Sequence, residues 1–182
     1  MTLTKAEFRK ECLQKLDKLP SANKLYKDYL LNKKLLSELK RLKKKSILFY
    51  MPFGFEINIK PILMNMRRKT NVYIPFMEGQ SFKMVPFRLP LKKKRFGIYE
   101  AGNTLKNINK IDIVIVPILG VDINLQRIGF GKGMYDRFFS RLKKKPYTIF
   151  VQQELCYTKE KVCDAYDIAC DVLLTPTKTI RK

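Results

Sequence analysis

The residues best suited to chemistry lie between Arg127 and Phe139, in the run RIGFGKGMYDRFF. Gly129, Gly131 and Gly133 alternate around Lys132. Glycine lets a backbone approach a phosphate closely, helix-start N–H groups present partial positive charge to an anion, and the lysine adds a point charge. Tyr135, Asp136 and Arg137 follow at once, so an aromatic, an acid and a base share the next turn. A solvated surface turn is the plain alternative, but three alternating glycines exceed what a turn needs. The loop is not a Walker A motif, because Gly133 stands where Ser or Thr would follow the Gly-Lys pair, and it lacks the GxGxxG spacing of dinucleotide sites. The chain has no histidine. That excludes Ser-His-Asp and Cys-His catalysis and His-ligated metals, leaving phosphoryl, carboxylate, lysine or tyrosine chemistry.

Position for this loop must come from the elements around it. Before it, IDIVIVPI at residues 111 to 118 is a β-branched apolar run that reads as a buried strand. Behind it, Tyr135, Phe138, Phe139 and Leu142 recur with helical period. Toward the N-terminus, Thr4 and Glu7 form a capping-box pattern, and Phe8, Cys12, Leu16 and Leu19 give a helical stripe that ends at Pro20. Lys5 and Arg9 share the other side of that helix. A second helix is expected from about Asn23 to Lys44, with Leu25, Tyr29, Leu35, Leu36, Leu39 and Leu42 as its apolar positions. SILFYM at 46 to 51 reads as a strand that turns through MPFGFEINIKPIL into a helix, with Asn58 as N-cap and Pro61 in the first turn. Glu56 lies between that strand end and that helix start, a good place for a carboxylate that meets a ligand.

The remaining pattern continues the alternation. TNVYIP at 70 to 75 and SFKMVPF at 81 to 87 form a hairpin around Glu78 and Gly79, and Arg88 to Ile98 is basic loop. YTIFVQ at 147 to 152 is a strand, 158 to 166 a short helix, and DVLLT at 171 to 175 a last strand, with Asp167 and Asp171 bracketing its entrance. Alternating strands and helices imply an α/β chain, a single domain over residues 1 to 182 with a largely parallel sheet and helices on both faces. Ligands in such folds sit at the carboxyl ends of the strands.

The net charge is +22, from 38 Lys and Arg against 16 Asp and Glu, which calls for an anionic partner. A nucleic-acid-binding protein without catalysis is one reading of that charge, and another ATP-using kinase or ligase is a second reading of the loop. The lysine runs at 43 to 45, 92 to 94 and 143 to 145 are dispersed at element ends, and no nucleic-acid-binding signature accompanies them. No specific nucleic acid is therefore expected as a partner. Cys12, Cys156, Cys163 and Cys170 show no CxxC spacing and read as reduced, mostly buried thiols. The charged first residues do not form a secretory signal, and no apolar run approaches the roughly 18 residues of a membrane span, so a cytoplasmic protein without a membrane partner is expected.

Residues 116 to 139, VPILGVDINLQRIGFGKGMYDRFF, resemble the signature of the 5-formyltetrahydrofolate cyclo-ligase family: an apolar strand, Pro, an acid, then R-[LI]-G-x-G-K-G-x-Y-D. Weaker matches extend along most of the chain, at Lys5 and Arg9, at Glu56 in FGFEINIKPI, in FGIYE at 96 to 100, and in DIACDVLLT at 167 to 175. The resemblance implies an ATP-dependent ring closure of 5-formyltetrahydrofolate, a small-molecule substrate, to 5,10-methenyltetrahydrofolate. It implies ATP binding by Lys5, Arg9, Arg127, Ile128, Gly129, Phe130, Gly131, Lys132, Gly133, Met134 and Tyr135, with Lys132, Arg9 and Tyr135 closest to the chemistry. Folate would meet Met51, Glu56, Phe130 and Met134, and Mg²⁺ would be held by Asp136 and Asp167. Three positions depart from the family pattern: Met134 for the first of two tyrosines, Ala101 for a Pro, and Phe76 for a frequent Arg. Methionine packs on a ring but donates no hydrogen bond, so Met134 changes the contact with folate and leaves the phosphate ligands intact.

Overall fold

The computed structural model describes residues 3–94, 99–106 and 108–182. Four α-helices, α1 (Lys5–Asp17), α2 (Lys24–Leu42), α3 (Lys60–Met66) and α4 (Met134–Ser140), surround a seven-stranded sheet. Its strands are β1 (Ser46–Leu48), β2 (Asn71–Glu78), β3 (Ser81–Pro86), β6 (Ile113–Pro117), β9 (Tyr147–Val151), β10 (Val172–Leu174) and β11 (Thr179–Arg181). The order across the sheet is β11-β10-β9-β6-β1-β2-β3. From β10 to β2 every pairing is parallel, and only β3 and β11 at the edges run antiparallel. Two short ribbons lie outside this sheet: β4 (Lys92–Lys93) with β5 (Tyr99–Glu100), and β7 (Gly120–Val121) with β8 (Arg127–Ile128).

The apolar strands are buried on both faces, as a covered parallel sheet requires. Ile113 and Ile115 pack with Leu31, Leu35 and Leu39 of α2 and with Ile62, Leu63 and Met66 of α3. Their neighbours Val114 and Val116 face the opposite layer with Phe138 of α4, Phe82 and Met84. The same alternation divides Ile149 and Val151 from Phe150, and Val172 and Leu174 from Leu173. A third cluster seats α1, where Phe8 and Cys12 meet Leu119, Ile128, Cys156 and Cys163.

At the amino end of the sheet, two carboxylates fix strand positions. Asp112 accepts from the N–H and hydroxyl of Ser46 at 3.0 and 2.8 Å, and Asp171 accepts from the Thr148 N–H at 2.7 Å. The α1 capping box is present in full.

Several expectations need correction. Leu25 and Tyr29 are not core positions; they are 82% and 62% exposed, and the buried stripe of α2 is Leu31, Leu35 and Leu39. The first turns of α2 use polar contacts instead, described below. Ile59, not Asn58, is the N-cap of α3, although the Asn58 side chain does accept from the Lys60 N–H at 3.2 Å. Residues 158 to 166 form no helix, because their backbone is engaged sideways: Thr158 N–H donates to Val121 O and Cys163 N–H to Asp122 Oδ2. The strand at 171 to 175 is followed by one more, β11, and the basic stretch after Arg88 carries β4. Residues 95 to 98, which include Phe96 to Ile98 of the FGIYE phrase, lie outside the described residues. Cys12 and Cys156 are not thiols but a disulfide across a sequence separation of 144 residues. Cys163 and Cys170 remain buried thiols, and burial pushes both up to about 12.

β11 is held by a charge cluster centred on Glu38 of α2. The buried Glu38 carboxylate receives Arg41 at 2.6 Å, Arg181 at 2.8 Å and the Tyr147 hydroxyl at 3.0 Å. Arg181 chiefly, with Arg41 and Tyr147, draws its pKa down to about 2 against the cost of burial. A depressed carboxyl contributes stability above its unfolded value and loses it as pH falls. Glu38→Gln should therefore cost about 1–3 kcal/mol near neutral pH, the figure being kept low because both arginines are half exposed. The loss should shrink as the melt is repeated from pH 4.5 toward 2; an equal loss at both ends would show that packing, not charge, is responsible.

Candidate active site

After β1 the chain leaves toward β2, and after β6 it leaves the other way toward β9. β1 and β6 are adjacent and parallel, so a crevice opens where their carboxyl ends diverge. A cavity of about 640 Å³ lies there, lined by Tyr50 and Met51 beyond β1, Pro117 at the end of β6, Pro75 and Met77 of β2, and the loop that precedes α4.

One wall is the turn from Phe53 to Glu56. Glu56 N–H donates to Phe53 O at 3.0 Å, and the Glu56 carboxylate accepts from Phe53 N–H at 2.9 Å. The polar first turns of α2 hold this turn in place: Lys24 donates to Glu56 O at 2.7 Å, Asp28 accepts from Asn58 N–H at 3.1 Å, and Asn32 donates to Asn58 O at 2.9 Å. Burial pushes Glu56 up to about 7, with Phe53 N–H and Lys24 pulling the other way. Tyr50 and Tyr135 are raised as well, first by burial and then by the Glu56 charge. The Tyr50 hydroxyl donates to Ile57 O at 2.8 Å.

The facing wall is the glycine-rich loop. Gly131 and Gly133 have φ of +87° and +58°, in the left-handed region where a side chain is strained, and Gly133 is the N-cap of α4. At Gly129 a Cβ would lie 2.5 Å from the Arg127 guanidinium, so glycine there admits the arginine. Arg127 is buried; it stacks on Tyr135 with 5.2 Å to the ring centroid and donates to Asp136 at 3.2 Å. Arg137 anchors the loop to the β2–β3 turn, donating to Lys132 O and, at 2.5 Å, to Gln80 O. Ser81 adds a bond to Met134 O at 2.9 Å. Neither Arg137 nor Ser81 was legible as a positioning residue, since the bonds that tie the loop to the β2–β3 turn, Arg137 to Gln80 O and Ser81 to Met134 O, join segments more than 50 residues apart in sequence.

The cavity thus gathers Met51, Glu56, Arg127, Phe130, Lys132, Gly133, Met134 and Tyr135. Arg9 approaches the loop from α1, its Nε donating to Gly129 O at 2.8 Å, with its guanidinium 3.8 Å from where a Gly131 Cβ would stand. Ile128 contributes only backbone, because its side chain is buried under α1. Lys5 pairs with Asp167 and, at 3.2 Å, with Asp164. Burial alone would lower the Lys5 pKa, but these two carboxylates outweigh it and hold it raised.

The two carboxylates expected to hold a metal are each engaged by a cation. Asp167 accepts from Lys5 and from Asp164 N–H on one oxygen, Oδ2. Asp136 gives Oδ2 to Arg127, while its Oδ1 is buried without a hydrogen-bond partner. Among the described residues no group of three or more His, Cys, Asp or Glu side chains forms a metal cage. Asp136 Oδ1 still fits Mg²⁺, which commonly takes one or two carboxylates and completes its shell with phosphate oxygens and water.

Residues 1–176 match the family model described as 5-formyltetrahydrofolate cyclo-ligase family. The 5-formyltetrahydrofolate cyclo-ligase of Mycoplasma pneumoniae is 25% identical over 94% of this chain and 98% of its own length. The mouse enzyme of the same name is 26% identical over 93% and 92%. The solved structure of Aquifex aeolicus 5,10-methenyltetrahydrofolate synthetase superposes with a TM-score of 0.83 at 27% identity, covering 98% of this chain and 93% of that one.

Glu56 gives the site a pH signature. Folded, it keeps its proton up to about pH 7, and unfolded it loses it near 4.5. Between those values the folded chain binds more protons, so this group's contribution to stability falls as pH rises through the window. Glu56→Gln should melt above the parent at pH 8, by about 1–3 kcal/mol, and close to it at pH 4. A variant less stable than the parent at pH 8 would mean that the carboxylate is held by partners stronger than its burial cost.

Proposed function

The chain belongs to the 5-formyltetrahydrofolate cyclo-ligase family, and from that premise we propose that it closes 5-formyltetrahydrofolate to 5,10-methenyltetrahydrofolate at the expense of ATP, releasing ADP and phosphate. The observation that carries this reading is the cavity itself, which faces an acid-bearing, aromatic wall toward a cationic glycine loop across one crevice. A reduced folate and a nucleotide triphosphate need those two chemistries side by side.

The formyl oxygen attacks the γ-phosphorus of ATP; an O–P bond forms, the bond to ADP breaks, and ADP leaves with the electron pair. N10 then attacks the activated formyl carbon and gives up its proton. The carbon–oxygen bond breaks and phosphate departs. Phosphoryl transfer is governed by positioning and by stabilising charge on the equatorial oxygens. In our assignment Arg127, Lys132 and Arg9 provide that charge, and the bare backbone of Gly129 to Gly133 provides close approach. Tyr135 supports the Arg127 guanidinium on its ring face. Lys5, paired with Asp167 and Asp164, bounds the nucleotide side. Asp136 is the residue we assign to Mg²⁺, which supplies charge neutralisation on the phosphates when bound.

Met51 and Met134 pack on the folate bicycle, and Glu56 accepts hydrogen bonds from its ring N–H groups. A carboxyl that titrates near 7 is also matched to receiving the N10 proton at neutral pH. We place the enzyme in the cytoplasm; among the described residues no helix is long and apolar enough to cross a membrane. A reducing compartment would open Cys12–Cys156 to the dithiol.

Incubation with ATP, Mg²⁺ and 5-formyltetrahydrofolate should generate methenyl absorbance, and omission of ATP should abolish it. Lys132→Ala should lower turnover roughly 100-fold while changing ATP affinity far less, because the loop N–H groups remain. The parent's failure to form product at saturating substrates would sink the assignment, and a folded Lys132→Ala variant with normal turnover would move the charge role to Arg127 and Arg9.

A further inference from the structure

Basic runs that lie far apart in the sequence meet in the fold. Residues 43–45 precede β1, 67–69 precede β2 and 143–145 precede β9. These strands run parallel through β6, so all three runs arrive at the same, amino end of the sheet. Backbone bonds tie that end together: Asn71 N–H donates to Lys45 O at 2.8 Å, Lys45 N–H to Asp112 Oδ2 at 3.2 Å, Tyr147 N–H to Asp112 O at 2.9 Å, and Lys182 N–H to Asp171 O at 3.2 Å. Lys110 before β6, Lys182 after β11 and Arg88 after the antiparallel β3 complete one rim. All of these side chains are exposed, and among the described residues none is in an ion pair. The carboxylates of the same edge, Asp112 and Asp171, are engaged by the N–H groups of Ser46 and Thr148.

Neither the helices nor the crevice account for the rim. Dipole compensation is confined to the last turn of a helix, where α2 already carries Lys40 and Arg41, and the runs begin at or beyond the helix ends. The crevice opens at the opposite ends of the strands, roughly 13 Å away along β6 at about 3.3 Å per residue, and none of these cations lines it. From Arg88 to Lys182 the rim crosses six inter-strand steps of about 4.8 Å each, roughly 29 Å in all. The three runs contain only Lys and Arg, so they offer no ring on which a base could stack and no apolar wedge to enter a bilayer. What they present is a row of charge matched to a linear array of phosphates.

We propose that this rim is a second, non-catalytic binding surface that takes the phosphate backbone of double-helical nucleic acid without reading its sequence. It does not depend on the ring-closure reading, because no residue of the site belongs to it. If roughly half of its twelve cations engage, about six phosphates are neutralised, and log K should fall with log salt at a slope of about −5. Fluorescence anisotropy with labelled RNA and DNA duplexes of about 20 base pairs and scrambled sequence should show that slope, a loss of about 10³-fold between roughly 50 and 200 mM salt, and no displacement by saturating MgATP. K43Q/K44Q/K45Q should flatten the slope by about 1 to 2 and weaken binding about 10- to 30-fold near 0.1 M salt, with the thermal melt unchanged. K143Q/K144Q/K145Q should do the same, so a folding defect in one variant leaves the other to decide. K92Q/K93Q/K94Q removes equal charge from β4, whose partner β5 meets Met77 near the carboxyl ends, and should stay within about three-fold of the parent. Equal weakening by this control would reduce the effect to net charge, and displacement by MgATP would move it to the glycine loop. Tighter, run-dependent capture by phosphatidylserine vesicles would make the rim a membrane contact. Each of these results, or no duplex binding at the lowest salt, would overturn the proposal.

Discussion

Two adjacent parallel strands whose chains depart in opposite directions cannot both be roofed by their own crossovers, and β1 and β6 are such a pair. The gap above them is a consequence of connectivity, and everything functional is arranged around it. β1 runs on into Tyr50, Met51 and the Glu56 turn, and β6 runs on through the β7–β8 ribbon into the glycine loop. The sheet need supply only straight, well-packed strands. Its two-sided burial of Ile113 to Val116 makes the platform stiff enough to hold two loops at a fixed separation.

Arg127 translates that platform into electrostatics. Its backbone N–H is bonded to Ile168 O at 2.8 Å, which ties the ribbon to the segment carrying Asp167. Its guanidinium lies against Gly129, over Tyr135 and beside Asp136. The Nε of this buried arginine and Oδ1 of Asp136 have no hydrogen-bond partners, although both atoms are shielded from water. Unpartnered buried polar atoms carry a desolvation cost of about 1–3 kcal/mol each.

The second wall depends on a different device. The first turns of α2 extend beyond its apolar stripe and grip the Glu56 turn by Lys24, Asp28 and Asn32. That use explains why Leu25 and Tyr29 face water although the helical period holds there. Polar groups near the site support the loop, and apolar groups farther along support the sheet. Arg137 and Ser81 do the same for the glycine loop, through carbonyls of the β2–β3 turn and of the loop itself.

Local chemistry made much of this chain readable by sequence alone. Apolar runs of the right length disclosed the parallel strands, the Thr4–Glu7 box disclosed α1, and the motif from Arg127 to Asp136 disclosed the loop, because each signal is carried by residues close together in sequence. Tertiary structure decided what depends on distant pairing. It turned Cys12 and Cys156 into a disulfide, engaged the backbone of 158 to 166 against Asp122 and Val121 in place of a helix, and added β11 through Glu38 and Arg181. It also gave Asp167 to Lys5 and left Asp136 with an unpartnered oxygen. The contact of Phe55 with Phe130 belongs with these, since the two rings lie on loops that only the reversal between β1 and β6 brings face to face.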